Sequence, residues 1–160
     1  MVEGAAYVGS WIFLSQKMPL WGQPRGQNVL DTGAHFYETY QTKDGKFMAV
    51  GSIEPHFYAE MLNKLDIDDL PQGIDDEEAK KKLKEVFLTK TRAEWSEIFD
   101  GSDACVTPIL ELHEAPNHVH NKARNSFVKN HEGRLVPVSK LLLLNSAKSL
   151  EIGFKVLNLN

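Results

Sequence analysis

Phe36-Tyr37-Glu38-Thr39-Tyr40-Gln41, then Thr42-Lys43-Asp44-Gly45, then Lys46-Phe47-Met48-Ala49-Val50: this stretch decides the fold. Two runs of strand-forming residues flank an Asp-Gly dipeptide, which tolerates the positive φ of a tight turn. The pattern predicts a β-hairpin over 36–50. Beyond it Pro55 stands where a first helical position wants it. Phe57, Tyr58, Met61, Leu62 and Leu65 follow at helical spacing and predict a short amphipathic helix.

Further along, Asp75 with Glu78 and Thr91 with Glu94 fit the cap-then-acid pattern of a capping box. Ala79, Leu83, Val86 and Phe87 form an apolar stripe behind the first, and Trp95, Ile98 and Phe99 behind the second. Ala104–Leu110 is an apolar run broken by Pro108. Glu111–Asn125 is another helix candidate, and Ser126–Leu144 predicts short strands around Gly133 and Pro137. Upstream, Lys17–Thr32 reads as loop from its Pro19, Gly22, Pro24, Gly26 and Asn28. The apolar run Val2–Leu14 is far short of the roughly 20 residues of a membrane span. It carries Glu3 where a secretory signal has positive charge, so the expectation is a buried helix. Together these elements predict an α+β fold: an entry helix, a hairpin extending into a small antiparallel sheet, and three or four flanking helices.

Length and composition agree. The 160 residues have the size of one ordinary domain, and 42% hydrophobic residues supply a core. With 18 Lys and Arg against 22 Asp and Glu, the charge of −4 argues against a generic nucleic-acid or anionic-membrane binder. The single cysteine, Cys105, excludes an internal disulfide framework and a Cys-rich zinc site, which favours a reducing, intracellular setting.

Candidate chemistry is sparse. His113, His118 and His120, with Glu114, form the one histidine cluster. The pair 118/120 lacks the three- or four-residue spacing that puts two ligands on one helix face, so structural histidines are the plainer reading. Cys105 has no basic neighbour in sequence to activate it and is expected to be buried. The lysines at 80, 81, 82 and 84 read as a solvated helix face, with an anion-binding patch as the sharper alternative. Gly22-Gln23-Pro24-Arg25-Gly26-Gln27-Asn28 has glycines and an arginine suited to phosphate, yet reads first as an ordinary loop. Glu54 is out of character with the apolar run Met48–Ile53 before it. It either caps the helix that follows, where negative charge is favourable, or faces a cleft and orients a catalytic base on another segment.

Several longer blocks occur in order: Trp21-Gly22-Gln23-Pro24-Arg25-Gly26-Gln27-Asn28, Gly33-Ala34-His35-Phe36-Tyr37, Gly51-Ser52-Ile53-Glu54-Pro55-His56-Phe57-Tyr58, and Phe99-Asp100-Gly101-Ser102-Asp103-Ala104-Cys105-Val106-Thr107-Pro108. With Met1–Tyr7 they resemble the family III CoA transferases, and the Gly-x-Ile-Glu-Pro-x-Phe-Tyr block resembles the racemase branch acting on 2-methyl-branched acyl-CoAs. The resemblance implies the small domain of that family over 18–145, a connecting helix over 1–17 and a divergent tail over 146–160. It implies epimerisation through an enolate without a cofactor. A histidine–aspartate pair from a large Rossmann-like domain moves the protons, and a small-domain glutamate, here Glu54, orients the histidine. Tyr37 falls where the family has a tyrosine near the acyl pocket. His35 lacks the Gly-His-Asp context of the proton-moving histidine, and the segments carrying that pair are expected upstream of Met1. This chain alone is therefore expected to be inactive. The implied partners are a branched-chain acyl-CoA and a second subunit, with no nucleic acid and no membrane span. The implied compartments are the peroxisome and mitochondrion, although Leu159-Asn160 is not a Ser-Lys-Leu-type address. A CoA transferase of the same family and a non-catalytic dimerisation fragment are the alternatives.

Overall fold

A computed structural model describes residues 1–73 and 76–138 and shows an α+β arrangement. It divides into two compact units, Met1–Ile109 and a second starting at Leu110. The divergent tail over 146–160 lies outside the described residues.

The hairpin anchors the first unit. Strand β1 (Tyr37–Gln41) pairs antiparallel with β2 (Phe47–Gly51), Tyr37 opposite Gly51 and Gln41 opposite Phe47. The turn behaves as its sequence requires: Gly45 takes φ +75°, and Thr42 Oγ1 donates to Asp44 Oδ1 at 2.6 Å. Strand β3 (Val106–Ile109) adds on the other side of β2, giving the order β1-β2-β3.

Side chains alternate across this sheet. Tyr40, Met48, Val50 and Val106 point into the core. Against that face pack helices α3 (Pro55–Leu65), α4 (Glu77–Phe87) and α5 (Arg92–Phe99), through Tyr58, Met61 and Leu65, Leu83 and Phe87, and Trp95 and Phe99. The opposite face carries Tyr37, Phe47 and Ile109, each about two-fifths exposed. The unit is thus two layers with one sheet face open.

Helix starts follow the sequence closely. Thr91 and Glu94 form the predicted capping box reciprocally. For α4 the cap is Asp76, whose carboxylate accepts from Ala79 N at 2.9 Å; Asp75 lies outside the described residues. The lysines of α4 form a solvated face, with Lys80 Nζ 2.8 Å from Glu77 Oε1.

The N-terminal expectation needs correction. Val2–Leu14 is not a buried helix. It forms two short helices, α1 (Val2–Val8) and α2 (Ser10–Ser15), broken at Gly9, and Ser15 is their one buried residue. Tyr7, Val8, Phe13 and Leu14 are more than 70% exposed. Apolar composition signals a side chain's preference for burial but supplies no surface to bury it against, and no described element covers this one.

Among its described residues the second unit holds a 3₁₀ turn at Ala115–Asn117 and one short helix, Val119–Ala123, in place of the longer helix expected over 111–125. Pro116 breaks the segment. A small hairpin follows, Phe127–Lys129 paired with Leu135–Pro137 around Gly133 at φ +76°. No described helix is long and apolar enough to cross a membrane.

Candidate functional site

The open sheet face deepens into a cleft of about 430 Å³ at the end where β1 begins and β2 stops. Tyr37, Thr39, Ala49, Gly51, Cys105 and Thr107 line it. Gly51 contributes no side chain to it, and a Cβ there would make only ordinary contacts, 3.9 Å from Tyr37 Cε2 and 3.8 Å from Cys105 O. Gly51 N–H donates to that same oxygen at 2.9 Å, tying β2 to the chain that carries Cys105.

Glu54 follows Gly51 by three residues and is exposed. Its backbone occupies the N-cap position of α3, at φ −73° and ψ 139°, but its side chain makes no cap hydrogen bond. The capping alternative therefore fails. The carboxylate accepts from no amide of the first turn and stays available to a partner from outside the helix.

Cys105 also departs from expectation. It is exposed, not buried. Its neighbours Ala104 and Val106 are buried, and the cysteine between them takes φ +52°, a left-handed conformation that turns its side chain out of the core. The thiol is pushed up from its ordinary value, by desolvation first and then by the Glu54 and Asp103 carboxylates. It is held as a neutral thiol and makes a poor nucleophile.

The other candidates are structural. In the loop before β1, Asn28 and Asp31 occupy the amides that a phosphate would need. Gln23 N donates to Asn28 Oδ1 at 2.9 Å, Gly26 N to Asp31 Oδ2 at 3.0 Å, and Asn28 N to Asp31 Oδ1 at 2.6 Å. The Gly26 N–H is the main reason the Asp31 carboxyl sits below its ordinary range. Gly33 is fixed by close approach: a Cβ would fall 2.2 Å from the Gln27 carbonyl. Among the described residues no three metal-ligating side chains converge, and His113 and His120 are exposed.

His35 lies in the core instead. Its Nε2 is 2.8 Å from Tyr58 Oη, and Tyr58 O–H donates to Leu70 O at 2.9 Å. A phenol has one hydrogen, so Nε2–H must donate to Tyr58, which makes Nδ1 the acceptor nitrogen. Nδ1 is buried with no hydrogen-bond partner among the described residues. Burial pushes the histidine below its ordinary 6.5; Asp76 and the nearby Gly73 backbone oppose this more weakly, and Lys80 adds to it. A depressed folded pKa means that the unfolded chain takes up the proton first. Stability contributed by neutral His35 is thus complete above pH 6.5 and is lost as pH falls below it. The urea midpoint is expected to hold constant above about pH 7 and to decline before the carboxylates titrate near pH 4. His35→Gln is expected to flatten that decline; an unchanged slope counts against the assignment.

The chain matches the family described as CoA-transferase family III over residues 1–153. It belongs to that family. It is 52% identical over 151 residues to the alpha-methylacyl-CoA racemase of Homo sapiens, covering 91% of this chain and 40% of that protein. It is 55% identical over 137 residues to the alpha-methylacyl-CoA racemase of Mus musculus, covering 82% of this chain and 36% of the relative. A CaiB/baiF CoA-transferase family protein of Caenorhabditis elegans is 37% identical over 133 residues, covering 81% and 38%. The chain thus spans about 40% of the length of the curated relatives it matches. Within this family III member, the structure brings Tyr37 and Glu54, the two residues singled out from sequence, to one end of one sheet.

Proposed function

We propose that this chain supplies the small-domain part of a 2-methylacyl-CoA racemase, an isomerase that inverts the carbon next to a thioester carbonyl. The observation carrying the reading is the identity of 52–55% to two alpha-methylacyl-CoA racemases across most of the chain. The α-proton of a thioester is only weakly acidic, so its removal needs a positioned base and stabilisation of the enolate that forms. In the proposed reaction a base on one face takes the proton and an acid on the other returns one. Glu54 accepts a hydrogen bond from the histidine of that pair, which the longer protein contributes, fixing its tautomer and raising its basicity. Tyr37 borders the acyl chain. The substrate is a branched-chain acyl-CoA, and peroxisome and mitochondrion are the proposed compartments.

A chimera tests this. Residues 1–138 of this chain replace the matching part of the human racemase, and a 2-methylacyl-CoA is incubated with it in heavy water. The chimera is expected to epimerise the substrate with α-deuterium incorporation, while this chain alone incorporates none above background. A folded chimera without exchange sinks the proposal, and exchange by the chain alone sinks the division of roles.

The exposed apolar surface of Val2–Val8 and Ser10–Ser15 favours a second reading, a non-catalytic module that pairs with a second subunit. Co-expression with the human racemase separates the two readings, since a mixed species that lacks racemase activity favours the module.

A further inference from the structure

Two backbone carbonyls just ahead of Glu54 share one side-chain donor. Gln72 Nε2 lies 2.8 Å from Ile53 O and 3.1 Å from Ser52 O. An amide nitrogen carries two hydrogens, one for each carbonyl. Strand β2 has ended at Gly51 and α3 starts at Pro55, so neither the sheet ladder nor the helix fixes the intervening peptides. The core side of this junction is held by Ser52, whose N–H donates to Phe36 O at 3.0 Å and whose Oγ donates to Ala104 O at 2.6 Å. The solvent side is held by Gln72. Its own segment is anchored in turn, because Tyr58 O–H donates to Leu70 O and His35 donates to Tyr58.

We propose that Gln72 is the positioning residue for Glu54: by holding both preceding peptide units, it fixes the backbone from which the carboxylate projects, at the end of the sheet where Tyr37 pairs with Gly51. This rests on the reading of Glu54 as the site carboxylate, though not on which reaction the longer protein performs. A glutamine that only satisfied loop carbonyls would change stability and leave the direction of Glu54 alone.

The Cys105 thiol provides a readout that needs no substrate, since the Glu54 charge bears on it. Its rate with an aromatic disulfide reagent is measured for the whole chain at a fixed mildly alkaline pH. Glu54→Gln removes a like charge and is expected to speed the reaction about twofold by raising the thiolate fraction. Gln72→Met keeps the length of the side chain and removes the donors. It is expected to speed the reaction in the same direction, and that gain is expected to vanish when Glu54→Gln is already present. A rate equal to the parent's, or the same gain in both backgrounds, overturns the proposal. If Gln72→Met does not fold, Gln72→Asn, one methylene shorter, is scored by the same rule. Because no acyl-CoA enters this assay, a failed racemase reading and a failed positioning role give different results.

Discussion

In the active chimera, Glu54→Gln is expected to lower kcat by about 10²-fold while KM changes by less than about threefold. The split follows from what the carboxylate touches. It is proposed to meet the histidine and not the acyl-CoA, so ground-state binding is spared. The orientation and basicity of the base are lost. Glutamine has nearly the same shape, but its amide carries no charge to stabilise the imidazolium that forms as the proton moves, and it can hold the wrong tautomer. Loss of the carboxylate also lowers the pKa of the histidine it faces, so the limb of the kcat profile that reports this base shifts to lower pH. A substitution acting only through stability would reduce the active fraction without moving that limb. Because the Glu54 side chain makes no cap bond to α3, its replacement breaks no hydrogen bond at the helix start. Full kcat in a folded Glu54→Gln chimera would exclude the orienting role.

What could be read from sequence divides along the range of the forces involved. Asp44-Gly45, Pro55 and the Thr91/Glu94 pair act within a few residues of themselves, and the hairpin, the α3 start and the α5 capping box stand where those residues put them. Glu54 and Tyr37 come as site candidates from resemblance alone, whereas local chemistry also offers a cap that the folded chain does not use. The misreadings share a cause. Burial of Val2–Leu14 depends on a surface that its own residues cannot supply. Cys105 has apolar neighbours, yet it precedes β3 at φ +52°, a left-handed backbone that turns it outward and that neighbour composition cannot report. Gln72 was invisible for a related reason: its bonds reach 19 and 20 residues back along the chain, and glutamine in a loop gives no local signal of such a reach.

The largest loss of stability is expected at Trp95. Trp95→Ala should cost about 3–5 kcal/mol, read as a fall in the urea midpoint with little change in slope. Three separable contributions converge on this side chain. It is 1% exposed, and its ring lies 5.3 Å from that of Phe87 and 6.0 Å from that of Phe99, so truncation opens a cavity where α4 and α5 meet the sheet. Its Nε1–H donates to Phe87 O at 2.9 Å, a carbonyl in the last turn of α4 with no helical successor to serve it; the substitution leaves that oxygen unpaired. Lys90 Nζ sits 4.5 Å from the ring centroid, and that cation–π contact goes as well. Trp95→Phe separates these terms: it keeps most of the ring packing but abolishes the indole donor, and is expected to cost about 1–2 kcal/mol. Native domains hold only about 5–15 kcal/mol in total, so Trp95→Ala takes a large share of it. A loss below about 1 kcal/mol for Trp95→Ala would show that the α4–α5 corner collapses to fill the space, and that the core rests on Met48, Leu83 and Phe87 without it.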